Sequence, residues 1–149
     1  MLANFFNALG INYPMVSAPT LAAKIVSKGL DNMDFSMLPP QVKFEILTLT
    51  GELFFKRNMI NDALRAFMIA SNMDRLLELG NWLLLQGRFE DAARFFMPTG
   101  HKKLLEKVGF KCAEIGNYEL AFKCFEASGN LPLAEFMYVN FLHAAVAGP

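Results

Sequence analysis

Charge is scarce in this sequence, and it is balanced. Only 19% of the 149 residues are charged, with Lys plus Arg at 14 and Asp plus Glu at 14. A protein that coats nucleic acid or an anionic membrane surface needs a basic excess, so neither partner is expected. Cysteine is scarcer still, at Cys112 and Cys124 only. Their separation matches no zinc or redox spacing, and a chain of this length buries a core without staples. Two reduced, buried thiols in a cytoplasmic protein are expected. Histidine occurs only as His101 and His143, with no HExxH around them. A glycine-rich phosphate loop and a Gly-x-Ser-x-Gly elbow are absent too. The expectation is therefore a non-enzyme with no cofactor and no metal. No stretch approaches the roughly 18 uncharged apolar residues that cross a bilayer, so no membrane span is expected. The opening residues lack a basic region, and Asn4 and Asn7 break their apolar run, so no secretory signal is expected either.

Apolar residues make up 54% of the chain and aromatics 13%, which excludes intrinsic disorder. Their order is periodic. Three segments align without gaps at a spacing of 29 residues, from Leu47, Leu76 and Leu105 onward. Further columns are Gly51, Gly80, Gly109; Asn58, Gly87, Gly116; Ile60, Phe89, Tyr118; Ala63, Ala92, Ala121; and Phe67, Phe96, Phe125. Each column has a physical reason. Glycine inside a helix costs about 1 kcal/mol against alanine, so three in one phase imply a close helix crossing. The alanine column is expected to supply the small residue on the partner helix. Asn or Gly fits a helix C-terminus that turns left-handed. The bulky residue, Ala and Phe that follow are spaced three and four apart, one helical face. Each unit therefore reads as helix, tight turn, helix. Links as short as Ser71-Asn72 allow only antiparallel neighbours. A unit alone cannot bury its faces, so units must stack.

The pattern Leu-Gly-x-x-x-x-x-x-Gly-x-Phe/Tyr-x-x-Ala-x-x-x-Phe resembles the tetratricopeptide repeat (TPR). It spans about residues 44–130. The period is shorter than the usual 34, and in this it is similar to the compact repeats of clathrin, coatomer and intraflagellar-transport solenoids. The resemblance implies an all-α fold, a right-handed α-solenoid of about three TPR-like helical hairpins with N-terminal helices and a C-terminal capping helix. One domain over 1–149 is expected. Its parts are an apolar N-terminal helical segment at 1–40, the repeats at 41–130 and the capping helix at 131–146. The first part holds four charges, Lys24, Lys28, Asp31 and Asp34. Short helices are expected near Leu2–Leu9 and from Pro19 to Lys28, the second opened near Ser17 and stopped by Gly29. Pro39-Pro40 opens the first repeat helix. Pro132 to Ala145 reads as one amphipathic helix, and Ala144 to Pro149 as a frayed end.

The resemblance also implies non-enzymatic protein binding along the concave face of each unit's first helix. Carried over by position, it points to Phe55 and Lys56, to Asn81 and Leu84, and to Lys103, Lys107 and Phe110 as partner-binding residues. Lys103 and Lys107 match part of a carboxylate clamp, but Thr48, Glu52 and Glu78 do not match the rest. Lys103, Lys107 and Lys111 otherwise read as a solvated stripe. Adjacent residues diverge by about 100° around a helix, so neither Phe54-Phe55 nor Phe95-Phe96 can send both rings into one core. Phe54 and Phe96 fall in core columns. Phe55 and Phe110 are expected in the groove and Phe95 on the convex side. Trp82, beside Gly80, is expected in interhelical packing. The groove aromatics read equally well as an anchor site for a partner and as cover for the N-terminal segment. The expected partner is a protein or peptide, with self-association through apolar surface a further option. The competing function is a cytoplasmic chaperone shielding an apolar client segment.

Overall fold

The computed structural model describes residues 17–143. The expected helix at Leu2–Leu9 and the frayed end from Ala144 lie outside them. Among the described residues every regular element is helical and there is no strand. The chain contacts gather into two compact units, one ending at Met73 and the other starting at Asp74.

The first unit holds α1 (Ala18–Lys28), α2 (Pro40–Lys56) and α3 (Ile60–Ala70). Ser17 caps α1, its hydroxyl accepting from the Thr20 N–H, and Gly29 closes it at φ 86°. The buried positions Leu21, Ala22, Ile25 and Val26 form one stripe, which α1 lays on α2. The link to α2 also packs inward, with Leu30, Phe35 and Leu38 buried. Arg65 of α3 holds that link through Asp31 at 2.6 Å. Both side chains are exposed, so the pair contributes little more than about 1 kcal/mol. Pro40 opens α2 as the sequence implies. Thr50, fully buried on α2, is satisfied by donating to the Ile46 carbonyl at 2.7 Å.

The second unit runs through α4 (Met73–Leu85, most of which belongs here), α5 (Phe89–Phe96), a 3-10 turn at Met97–Thr99, α6 (Lys102–Glu114), α7 (Tyr118–Ala127) and α8 (Leu131–Met137). Pro98 ends α5 in the 3-10 turn, as expected of a proline in the last turn. The expected single capping helix is two pieces. Its α-helical winding stops at Met137, and Tyr138–His143 winds as a wider π-helix.

The columns carry the same contacts each time they recur. Leu47, Leu76 and Leu105 are fully buried, as are Ala63, Ala92 and Ala121. A methyl group added to Gly51, Gly80 or Gly109 would lie 2.7, 2.5 or 2.9 Å from a ring carbon of Phe67, Phe96 or Phe125. The crossing is therefore close, but its partner differs from the expected one. The phenylalanine ring, not the alanine, fills the space above the glycine. Ile60, Phe89 and Tyr118 each begin the second helix of a pair. Before them, Asn58, Gly87 and Gly116 have φ of 57°, 74° and 84°. The N–H groups of Met59, Arg88 and Asn117 return to the carbonyls of Phe54, Leu83 and Cys112, each at 2.9 Å. This closes the first helix of each pair in the manner of a Schellman turn. A second left-handed column, Ser71, Gly100 and Gly129, ends the second helices at φ 58°, 64° and 80°.

Candidate functional site

Phe110 leads to an apolar site in the second unit. It lies on α6 with its ring 5.0 Å from that of Phe125 on α7, edge to face. Around it the second unit forms a cavity of about 290 Å³, lined by Phe110, Ala113, Tyr118, Phe125, Leu133, Phe136, Met137 and Phe141. The lining has no charged side chain and five aromatic rings. Each comes to the site for a local reason. Tyr118 is the bulky first residue of α7, fixed there by Asn117, whose side-chain oxygen accepts from the Leu120 N–H at 3.1 Å. Leu133, Phe136 and Met137 lie on α8, begun by Asn130 accepting from the Leu133 N–H at 3.3 Å. Phe141 stacks on Tyr118 with ring centres 4.4 Å apart and meets Phe136 edge-on at 6.1 Å. Such pairs add about 0.5–1.5 kcal/mol to simple burial. Phe110 and Phe136 remain half exposed, at 50% and 54%, so the site opens to solvent along an aromatic rim.

The other expected site residues separate by environment. Asn81, Lys103 and Lys107 are exposed in the second unit, and Lys107 sits one turn before Phe110 on α6. Neither Lys103 nor Lys107 makes an ion pair among the described residues, whereas Lys111 pairs with Glu114 at 3.1 Å. Leu84 is buried at 8%, while its neighbour Leu85 is 84% exposed. The apolar position offered to solvent there is thus Leu85. Phe55 is half-buried and Lys56 exposed, both within the first unit. A wider depression of about 470 Å³ in that unit, beside Phe44, has no second aromatic in its lining.

One expectation for an aromatic residue changes. Phe95 is fully buried rather than convex and exposed. Helix α5 packs against α6 as well as supplying Phe96 to Gly80 of α4, so two of its faces are covered. The equivalent residues Ala66 and Cys124 are fully buried as well. Trp82 is 46% exposed, with the rest of its surface covered.

The cysteines are free and buried, and the fold sets them side by side on α6 and α7. The Cys112 thiol reaches toward the Phe89 carbonyl at 3.9 Å. A hydrogen bond between the two sulfurs, with burial second, pushes the Cys124 thiol far up, and the same bond draws Cys112 down. The two thiols therefore lose their protons as a linked pair, not independently. Among the described residues no three His, Cys, Asp or Glu side chains converge as a metal set would. No helix there is long and apolar enough to cross a membrane.

Sequence reasoning identified Phe110 but not the walls around it. Phe136 and Phe141 fall within the helix expected at Pro132–Ala145, and Tyr118 in the bulky column of the repeat. A signal was present: one more step of 29 residues sets Phe136 after Lys107 and Phe141 after Cys112. Two aromatics enter columns that hold none in the preceding unit. Comparison with family models, with curated proteins and with solved structures returns no match.

Proposed function

We propose that this chain is a non-enzymatic protein-interaction module, a scaffold or adaptor built from TPR-like hairpins stacked as a right-handed α-solenoid. It holds an apolar side chain of a partner peptide or helix in the cavity behind Phe110. The observation that carries this is the uncharged aromatic lining with its half-exposed rim. Hot spots are typically aromatic anchors that fill desolvated pockets. A volume of about 290 Å³ suits one or two side chains and is small for a drug-sized ligand. Lys103 and Lys107 on the same helix favour acidic residues beside the anchor and speed encounter more than they strengthen it. The free, buried thiols support a cytoplasmic setting.

The test compares the native chain with Phe110→Ser. Half of a Phe side chain is at stake in stability, so unfolding should shift by only about 1 kcal/mol. A stoichiometric partner recovered from native-cell extract should bind the variant at least about tenfold more weakly. Equal binding by both proteins would remove the cavity from the proposal. Suppressed aggregation of an unfolded client, with no stoichiometric complex, would favour the chaperone instead.

A further inference from the structure

The three hairpins share their columns but differ in chemistry at one place. Phe54, Leu83 and Cys112 stand in one column of the first helices, and Ala66, Phe95 and Cys124 in one column of the second. All six are buried. Two hairpins fill these positions with hydrocarbon side chains, and the third fills both with thiols. The sulfurs are partners across α6 and α7. Cys124 donates to the Cys112 sulfur, which donates in turn to the Phe89 carbonyl at 3.9 Å. The helices are close as well. A carbon added to Gly109, one turn before Cys112, would lie 3.2 Å from the Cys124 Cβ. A lone buried cysteine does no more than pack. Two whose sulfurs already touch need to close by only about 1.5–2 Å to bond.

We propose that Cys112 and Cys124 are a reversible disulfide site, oxidised by a hydroperoxide, that staples α6 to α7. Both thiols are fully buried, so the oxidant meets them in a partly opened hairpin. An uncovered thiol gives its proton to water, and its thiolate attacks one peroxide oxygen. The O–O bond breaks and the leaving oxygen takes up a proton. The products are a sulfenic acid and, from hydrogen peroxide, one water. Reclosing the hairpin returns the second thiol, whose sulfur attacks the first. The S–O bond breaks, and the hydroxyl departs with the thiol proton as a second water. The two sulfurs give up two electrons and the peroxide takes them. Exchange with a dithiol restores both thiols. In a reducing compartment the thiols are the resting form and the disulfide a transient one.

The position of the pair gives the bond its effect. Ala113 and Phe125, the next residues in sequence, line the aromatic cavity. The bond therefore forms directly behind one wall of that cavity and fixes two of its helices to each other. Little is lost locally, because thiols are weak donors and the Phe89 carbonyl gives up only a long contact. The chain has no other cysteine, so the response is confined to the third hairpin. The site does not depend on what the cavity holds.

The test uses the reduced full chain, treated with hydrogen peroxide, blocked with N-ethylmaleimide in denaturant and digested without reductant. Trypsin cuts after Lys111 and Lys123, which puts the two cysteines on separate peptides, Cys112–Lys123 and Cys124–Pro149. Mass spectrometry should find these peptides joined, from a chain that stays monomeric. After dithiothreitol they should be separate and open to maleimide again. Oxidation should also raise the urea midpoint of Trp82 fluorescence by about 1 M. In Cys124→Ala the midpoint should not rise, whereas oxidised methionines would shift both proteins alike. The peptide readout needs no variant. Two maleimide-blocked cysteines after peroxide, cysteines converted to sulfinic acid, or peptides joined only between chains would each overturn the site. An unchanged or lowered midpoint would overturn the staple. None of these outcomes touches the capture test with Phe110→Ser, so the partner reading stands or falls separately.

Discussion

Phe95→Ala should destabilise the second unit by about 3–5 kcal/mol, the range for deleting a fully buried phenylalanine. Phe95 has no exposed surface. Its helix α5 packs on α6 and also gives Phe96 to Gly80. Removing the ring leaves a cavity with rigid helices around it, so relaxation recovers little. The chain has one tryptophan, Trp82, and it belongs to the second unit. Its fluorescence during denaturant unfolding gives the midpoint and slope from the relevant unit, and a midpoint shift at constant slope isolates stability. On an exposed outer face the same change would cost no more than about 0.5 kcal/mol. A loss that small would return Phe95 to the convex side and refute the double coverage of α5.

The second large effect is at the helix crossing. Gly80→Val should cost about 3 kcal/mol, the upper end for overpacking a core. Helix propensity alone favours the opposite sign, since glycine is the poorest helix residue after proline. Sterics should win because the first added carbon would already lie 2.5 Å from the Phe96 ring, which has no exposed surface into which to swing. The contact is specific, so it should couple. In a Phe96→Ala background Gly80→Val should cost much less than it does alone, giving an interaction energy of about 1–3 kcal/mol. Additive losses would mean that valine collides with something other than Phe96.

Both positions show how far the sequence could be read. The columns at Leu76, Gly80, Ala92 and Phe96 were visible because a period of 29 repeats the same contact three times. Helix ends were visible too, since Asn58, Gly87 and Gly116 carry a conformation that few residues tolerate. Phe95 was misplaced because a single-helix argument allows one buried face, while a helix packed between neighbours has two. Ser71, Gly100 and Gly129 are legible as links between units but not as a left-handed column, because a serine heads it. The pairing of Gly with Phe, instead of Ala, depends on where a ring points across a crossing, and periodicity does not record direction. The same limit hid the cavity. Phe110, Phe136 and Phe141 are far apart in the chain, and only the packing of α6, α7 and α8 brings them to one space. Ion pairs such as Arg65–Asp31 join the link before α2 to α3, and their partners share no repeat phase.

The sulfur pair described above has a consequence in time. Cys112 and Cys124 have no surface to offer a thiol reagent, and alkylation needs a thiolate. Either sulfur can be labelled only when α6 and α7 part. The labelling rate in the native protein therefore reports the opening of that hairpin, without any denaturant. Because each sulfur is the other's hydrogen-bond partner, one opening event exposes both. At a reagent concentration where labelling outpaces reclosing, modification should reach the pair as a single kinetic step, and the third hairpin carries its own clock.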